Sequence, residues 1–155
     1  MTKTKTKKDY VALENSRLDE QCQVMRQIIA DGVCPFCPEN LARYHKQPIL
    51  RAGKYWVLTH NQWPYGGTKH HLLIIYKTHI EHLEEMAPAA GQEMIELFQG
   101  ASKEYGVSGG GLAMRFGGPE YGSTVRHLHA HLIHPDLDDP QHPGIKFGIS
   151  KGKKG

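Results

Sequence analysis

No stretch of this 155-residue chain reaches the length of a membrane span, so no membrane partner is expected. The positively charged start, Met1-Thr-Lys-Thr-Lys-Thr-Lys-Lys8, has no apolar run behind it. That pattern does not support export, and a cytoplasmic protein is the expectation. Cysteine is scarce: three residues, two of them in Cys34-Pro-Phe-Cys37, cannot build a disulfide framework in such a compartment. Internal repeats are lacking too, and the length suits one domain with a real core better than two. With 39% apolar and 23% charged residues the composition fits neither a disordered nor a fibrous chain.

Charge of one sign is also sparse in the body. The formal net charge of +3 is accounted for by Lys3, Lys5, Lys7, Lys8, Lys151, Lys153 and Lys154, which sit near the ends. We expect basic tails over residues 1–9 and 150–155 flanking a domain over 10–149. Short basic ends are ordinarily solubilising, so nucleic acid is not an expected partner.

What is abundant is histidine, eleven in all, grouped as His70, His71 and His79 and then His127, His129, His131 and His134. Around them, apolar periodicity predicts an amphipathic helix over 11–31 through Leu18, Cys22, Met25, Ile28 and Ile29, stopped by Gly32. Cys34 to Pro38 reads as a tight turn. Segments 49–51 and 55–59 flank an Ala52-Gly53 turn and predict a hairpin, and the apolar run 71–76 predicts a central strand. A helical turn over 80–86, a helix opened by Pro88 and reaching about residue 105, and strands over 112–116 and 125–133 complete the set. After Pro135 only 145–149 is apolar. Such an order predicts an α+β fold, with about five mostly antiparallel strands and two main helices, rather than a doubly wound one.

Side chains two apart on a strand share a face, so His127, His129 and His131 form one row while Leu128, Ala130 and Leu132 face the core. Rings spaced roughly 7 Å apart let one phosphate meet two of them. Neutral imidazole is a nucleophile near pH 7, and its phosphoramidate breaks once protonated, so covalent phosphoryl chemistry is indicated. His129 is the central ring and the candidate nucleophile, with its neighbours able to donate to phosphoryl oxygens. Directly before this strand, Gly117-Gly-Pro-Glu-Tyr-Gly-Ser-Thr124 offers glycines, Gly122 among them, for close backbone approach to an anion, and the Ser123 and Thr124 hydroxyls as donors. Cys34-x-x-Cys37 is a zinc half-site or, alternatively, a pair of free thiols; a redox role would want a strand-to-helix setting that the neighbourhood does not have.

His127-Leu-His-Ala-His-Leu-Ile133 resembles the signature of the histidine triad (HIT) proteins. Lys69-His-His-Leu-Leu-Ile-Ile-Tyr-Lys-Thr-His-Ile80 is similar to the family's upstream strand. Gly118 to Val125 resembles the segment that leads into the triad in its dinucleoside polyphosphate hydrolases. The resemblance implies an α+β, commonly dimeric fold, here an expected homodimer, that attacks the α-phosphorus of a nucleoside phosphate to give a nucleotidyl-histidine. It implies His129 as nucleophile, His131 and His70 against the phosphate, Asn61 near the nucleotide, and Ser123 and Thr124 toward the leaving group. It further implies that His79 and His127 complete a structural zinc site with Cys34 and Cys37.

Tyr76 stands where the family usually has proline, His71 where it has an apolar residue, and Ser123 where some dinucleoside polyphosphate hydrolases have glutamine. The loop between Pro64 and His70 is one residue longer. His131 stands where the related nucleotidyltransferases carry glutamine, which favours hydrolysis over transfer. The expected function is therefore hydrolysis of dinucleoside polyphosphates or nucleoside phosphoramidates. A non-catalytic, zinc-braced nucleotide or nucleic-acid binding module, or a nucleotidyltransferase, is the alternative.

Overall fold

The structure, a computed structural model, describes residues 9–152; residues 1–8 and 153–155 of the two basic tails lie outside the described residues. Five strands, β1 (Ile49–Ala52), β2 (Trp56–His60), β3 (Thr68–Tyr76), β4 (Gly111–Arg115) and β5 (His129–Pro135), form one sheet in the order β1-β2-β3-β5-β4. Every neighbouring pair is antiparallel. With helices α1 (Asp19–Asp31), α2 (Pro38–Tyr44) and α3 (Pro88–Tyr105), this is the predicted α+β architecture, and the apolar run of β3 lies at the sheet's centre as expected. No helix among the described residues is long and apolar enough to cross a membrane.

Alternation along the strands sorts the two faces. One face carries Trp56, Leu58, Leu72, Ile74, Leu128, Ala130 and Leu132, which bury against Ala90, Phe98 and Ala101 of α3. The other carries Leu73 and Ile75, which pack with Leu41 of α2, while Met25 and Ile28 of α1 close a neighbouring cluster with Tyr44 and Val125. His129 and His131 point to this second face, since β5 pairs them with Ile75 and Leu73 of β3 and with Arg115 and Ala113 of β4.

Three elements differ from the expectations. The first helix starts at Asp19 because the chain around residues 10–12 is extended, followed by a short 3-10 turn over Leu13–Asn15: Val11 bridges Val125, and the Ala12 and Arg126 amides donate to the Thr124 and Tyr10 carbonyls at 2.7 Å. Pro38 does not only end a turn; it opens α2 at a first-turn position, where its fixed φ suits a helix and its missing N–H is not needed. The last strand begins at His129 rather than at residue 125, because the chain bends at His127 and carries that ring toward the cysteine turn.

The β1–β2 hairpin depends on one carboxylate from the helix below it. Glu93 of α3 accepts the amides of Lys54, Tyr55 and Trp56 at 2.6, 2.8 and 2.9 Å. A Cβ on Gly53 would lie 2.4 Å from the Glu93 carboxyl carbon, so this close approach requires glycine. Glu93→Ala leaves three turn amides without that acceptor, and we expect it to lower stability by about 1–3 kcal/mol in urea unfolding. A change under about 0.5 kcal/mol would refute the role given to the carboxylate.

Candidate functional site

The second face opens on a cavity of about 520 Å³, within the range of roughly 300–1,000 Å³ usual for small-molecule sites. His129 and His131 form its floor, and Phe36, Tyr44, Trp63 and Tyr65 supply aromatic walls. Asn61, Gly122 and Thr124 also line it.

The protonation pattern of the histidines follows from their backbone partners, because a carbonyl only accepts and an amide only donates. His129 Nδ1–H donates to the His127 carbonyl at 2.6 Å, so its Nε2 carries a lone pair, and this atom has no hydrogen bond among the described residues. His71 Nδ1 accepts the Tyr65 amide at 3.1 Å, which leaves the proton of neutral His71 on Nε2. That Nε2–H donates to His131 Nδ1 at 2.8 Å, so His131 must carry its own proton on Nε2. His131 Nε2 is buried and unpartnered. Two neighbouring rings, with centroids 5.3 Å apart, thus end in opposite functions: a lone pair on His129 and a donor on His131.

Burial holds these rings neutral. It depresses His129 to about 4 against the stabilising His127 carbonyl, depresses His71 to about 4 with help from the Arg17 charge, and takes His131 well below the ordinary value.

Two expected site residues are not brought to this cavity. His70 faces the opposite side of the sheet, stacked on His134 at 5.7 Å and next to Tyr105 at 5.2 Å. Its neighbour His71 stands beside His131 instead; strand alternation gives the two positions opposite faces, and the register decides which one meets the triad. Ser123 is buried with its hydroxyl donated to the Val125 carbonyl at 2.7 Å, so it is spent on the turn, whereas Thr124 and Gly122 reach the cavity. Asn61 Oδ1 accepts the Trp63 amide at 2.8 Å, which turns its NH2 toward the cavity wall, 3.1 Å from His71 Nε2. With His71 Nε2 protonated, this last approach is packing and not a hydrogen bond.

Sequence reasoning missed His71, Tyr65 and Arg115. It also missed that the segment after Pro135 returns to the site. Phe147 packs edge-on against His131 at 5.3 Å, and Gly144, Ile145, Lys146 and Gly148 line the cavity. The only signal for this was the isolated apolar piece at 145–149.

At the near end of the triad, Cys34, Cys37, His79 and His127 offer ligand atoms that all lie within 4.8 Å of one another. Cys34 Sγ is 3.3 Å from His127 Nδ1, Cys37 Sγ is 3.4 Å from His79 Nδ1 and 3.8 Å from His127 Nδ1, and the two Nδ1 atoms are 3.2 Å apart. His127 Nε2–H donates to the Tyr76 carbonyl and His79 Nε2 meets the Glu81 carboxylate at 3.2 Å, so the Nδ1 lone pairs turn inward. Burial pushes the Cys34 thiol up and the Cys37 thiol up to about 12, so a bound cation is what would make these thiolates. The cluster has the donors and the spacing to hold a metal ion.

Residues 46–137 match the HIT domain, and the chain belongs to that family. No curated protein matches it. Among solved structures it is similar to a HIT family hydrolase from Clostridium thermocellum, at 26% identity over 70% of this chain and 95% of that one, TM-score 0.52. A hypothetical protein from Leishmania major is 22% identical over 79% and 84% of the two chains, TM-score 0.56. A zinc-bound histidine triad family protein from Mycobacterium smegmatis is 20% identical over 75% and 84%, TM-score 0.50. The last two likenesses concern the fold.

The depressed His71 makes stability depend on pH. Its folded value of about 4 lies below the ordinary 6.5, so between these values the unfolded chain binds the extra proton. Its contribution is complete above about pH 6.5 and is lost as pH falls toward 4. Thermal unfolding should therefore move to lower temperature across that window, and less steeply in His71→Asn. An unfolding midpoint that holds constant or rises on acidification contradicts the neutral assignment.

Proposed function

We propose that the chain is a nucleotide hydrolase, cleaving at the α-phosphate of dinucleoside polyphosphates or nucleoside phosphoramidates through a nucleotidyl-His129 intermediate. The observation that carries this is the opposite protonation of two adjacent buried rings, a lone pair on His129 Nε2 beside a proton on His131 Nε2. Simple nucleotide binding needs donors but has no use for a fixed lone pair aimed into a cavity. Family membership and the likeness to a HIT family hydrolase support the same reading.

In this mechanism His129 Nε2 attacks the α-phosphorus, a P–N bond forms, and the bond to the leaving group breaks with its electron pair. The His127 carbonyl stabilises the cation that develops on His129 through the Nδ1–H it already accepts. His131 Nε2–H donates to a phosphoryl oxygen, and His71 keeps that proton on the outer nitrogen as a positioning residue. Water then attacks phosphorus, the P–N bond breaks, and the nucleoside monophosphate leaves with His129 neutral again. Gly122 and Thr124 face the leaving group, and Phe36 and Trp63 form apolar wall suited to a base.

The four-residue cluster is read as a structural zinc site. With zinc–sulfur near 2.3 Å and zinc–nitrogen near 2.0 Å, a tetrahedron has sulfur–nitrogen edges of about 3.5 Å and nitrogen–nitrogen edges of about 3.3 Å, which the distances match within a few tenths. Four protein ligands leave no open position, so the ion would supply bracing, not chemistry. The zinc-bound M. smegmatis relative is consistent with this choice of metal.

His129→Ala should lower turnover of diadenosine polyphosphates and adenosine phosphoramidate by about 10³-fold or more while leaving thermal unfolding near wild type. Activity retained within tenfold removes His129 as nucleophile, and a wild type that binds nucleotide without turnover removes the hydrolase reading. For the metal, elemental analysis should find one zinc per chain. Cys37→Ser should lose it and lower the unfolding midpoint by roughly 5–15 °C. Protein purified without zinc whose midpoint ignores chelators refutes the site.

A further inference from the structure

The cavity carries more positive charge than one phosphate calls for. Arg17, Arg115, Lys146 and Lys151 all line it, and no aspartate or glutamate among the described residues does. The two arginines meet at Tyr65. The Arg17 guanidinium carbon stands 4.5 Å from the centre of the Tyr65 ring, and Arg115 Nη2 donates to its hydroxyl at 3.2 Å. The same ring stacks on His131 at 6.0 Å, so both charges sit on the wall next to the triad.

Neither guanidinium forms an ion pair with a carboxylate among the described residues. Arg115 is only 9% exposed, and its neighbours are neutral: the Gly148 carbonyl, the Tyr65 hydroxyl and the Phe147 ring, 3.6 Å below its carbon. Removing a guanidinium from water is costly, and neutral acceptors recover only part of that cost. Arg115 also sits directly across the β4–β5 pair from His129. Burial foremost lowers the Arg17 pKa, and the Arg115 charge pulls the same way, which a bound anion between them would relieve. Arg17, Lys146 and Lys151 lie outside the residues matched by the family, so this charge is a feature of the present chain's own flanking segments.

We propose that Arg17 and Arg115 form a second anion subsite, which holds the phosphates beyond the one attacked by His129 and makes the substrate a nucleotide with a polyphosphate leaving group. This rests on the hydrolase reading of the same cavity. When His129 Nε2 bonds to the α-phosphorus, the bridging P–O bond breaks and its electron pair stays on the departing phosphate oxygen. Negative charge grows on the departing chain, where guanidinium donors are best used and no proton is required. A phosphoramidate instead loses an amine that must take up a proton, and it has no further phosphate for the arginines to hold.

The test compares kcat/KM for diadenosine tetraphosphate and adenosine phosphoramidate, which form the same adenylyl-His129. In Arg115→Gln and Arg17→Gln the ratio of the two should fall by about tenfold or more, the size expected for a lost charge-assisted contact. Arg17 is exposed and precedes α1, so its variant keeps the test intact if the Arg115 variant does not fold. Calorimetric titration of inorganic tripolyphosphate should give binding to wild type that weakens by a similar factor in Arg17→Gln and falls with added salt. An unchanged ratio, tripolyphosphate that does not bind wild type, or equal binding to the variant overturns the subsite. If wild type turns over neither nucleotide, the hydrolase reading fails by itself, and the tripolyphosphate titration still decides for or against the arginine pair.

Discussion

The site hangs on His127, which is held by both its ring and its main chain. Its carbonyl accepts the Nδ1 proton of His129, its Nε2–H is anchored on the Tyr76 carbonyl, and its Nδ1 faces the two cysteines and His79. A shift of this one residue would move the acceptor that decides which nitrogen of His129 is bare. The cysteine cluster and the histidine row are therefore one mechanical unit. A metal gripping His127 would stiffen the chain just before it enters the sheet as β5.

Backbone polarity at either end sets the character of the row. At one end a carbonyl demands a proton from His129; at the other the Tyr65 amide gives one to His71, and the demand passes through His71 to His131. No side-chain charge is needed to make one ring a lone-pair donor and the next a proton donor. The surroundings keep both neutral, because burial and the nearby Arg17 and Arg115 charges all oppose protonation of His131. The cavity thus carries its positive charge on arginine and lysine side chains and leaves the imidazoles neutral.

Much of the fold was legible from local pattern. The hairpin around Gly53, the apolar run of β3 and the Pro88 helix each follow from a signal contained within a few residues, and the structure agrees with them. Less was legible where a residue has two uses. Pro38 reads as a breaker but starts α2, and residues 11–18 share helical periodicity with α1 but are claimed by the chain around Val125. Ser123 has the right chemistry for the cavity, yet its hydroxyl closes a local turn.

By itself the sequence determined the alternation that lays three imidazoles on one side of an extended segment and the cysteine pair that can reach a common ion. Those are properties of residue spacing, which a strand or a tight turn converts directly into geometry. Only the tertiary structure decided between His70 and His71, because adjacent strand positions are equivalent until the sheet has a buried face on each side. It also decided that Arg17 and the 143–151 segment enter the cavity, since nothing local in a chain says which distant surface an irregular segment will cover.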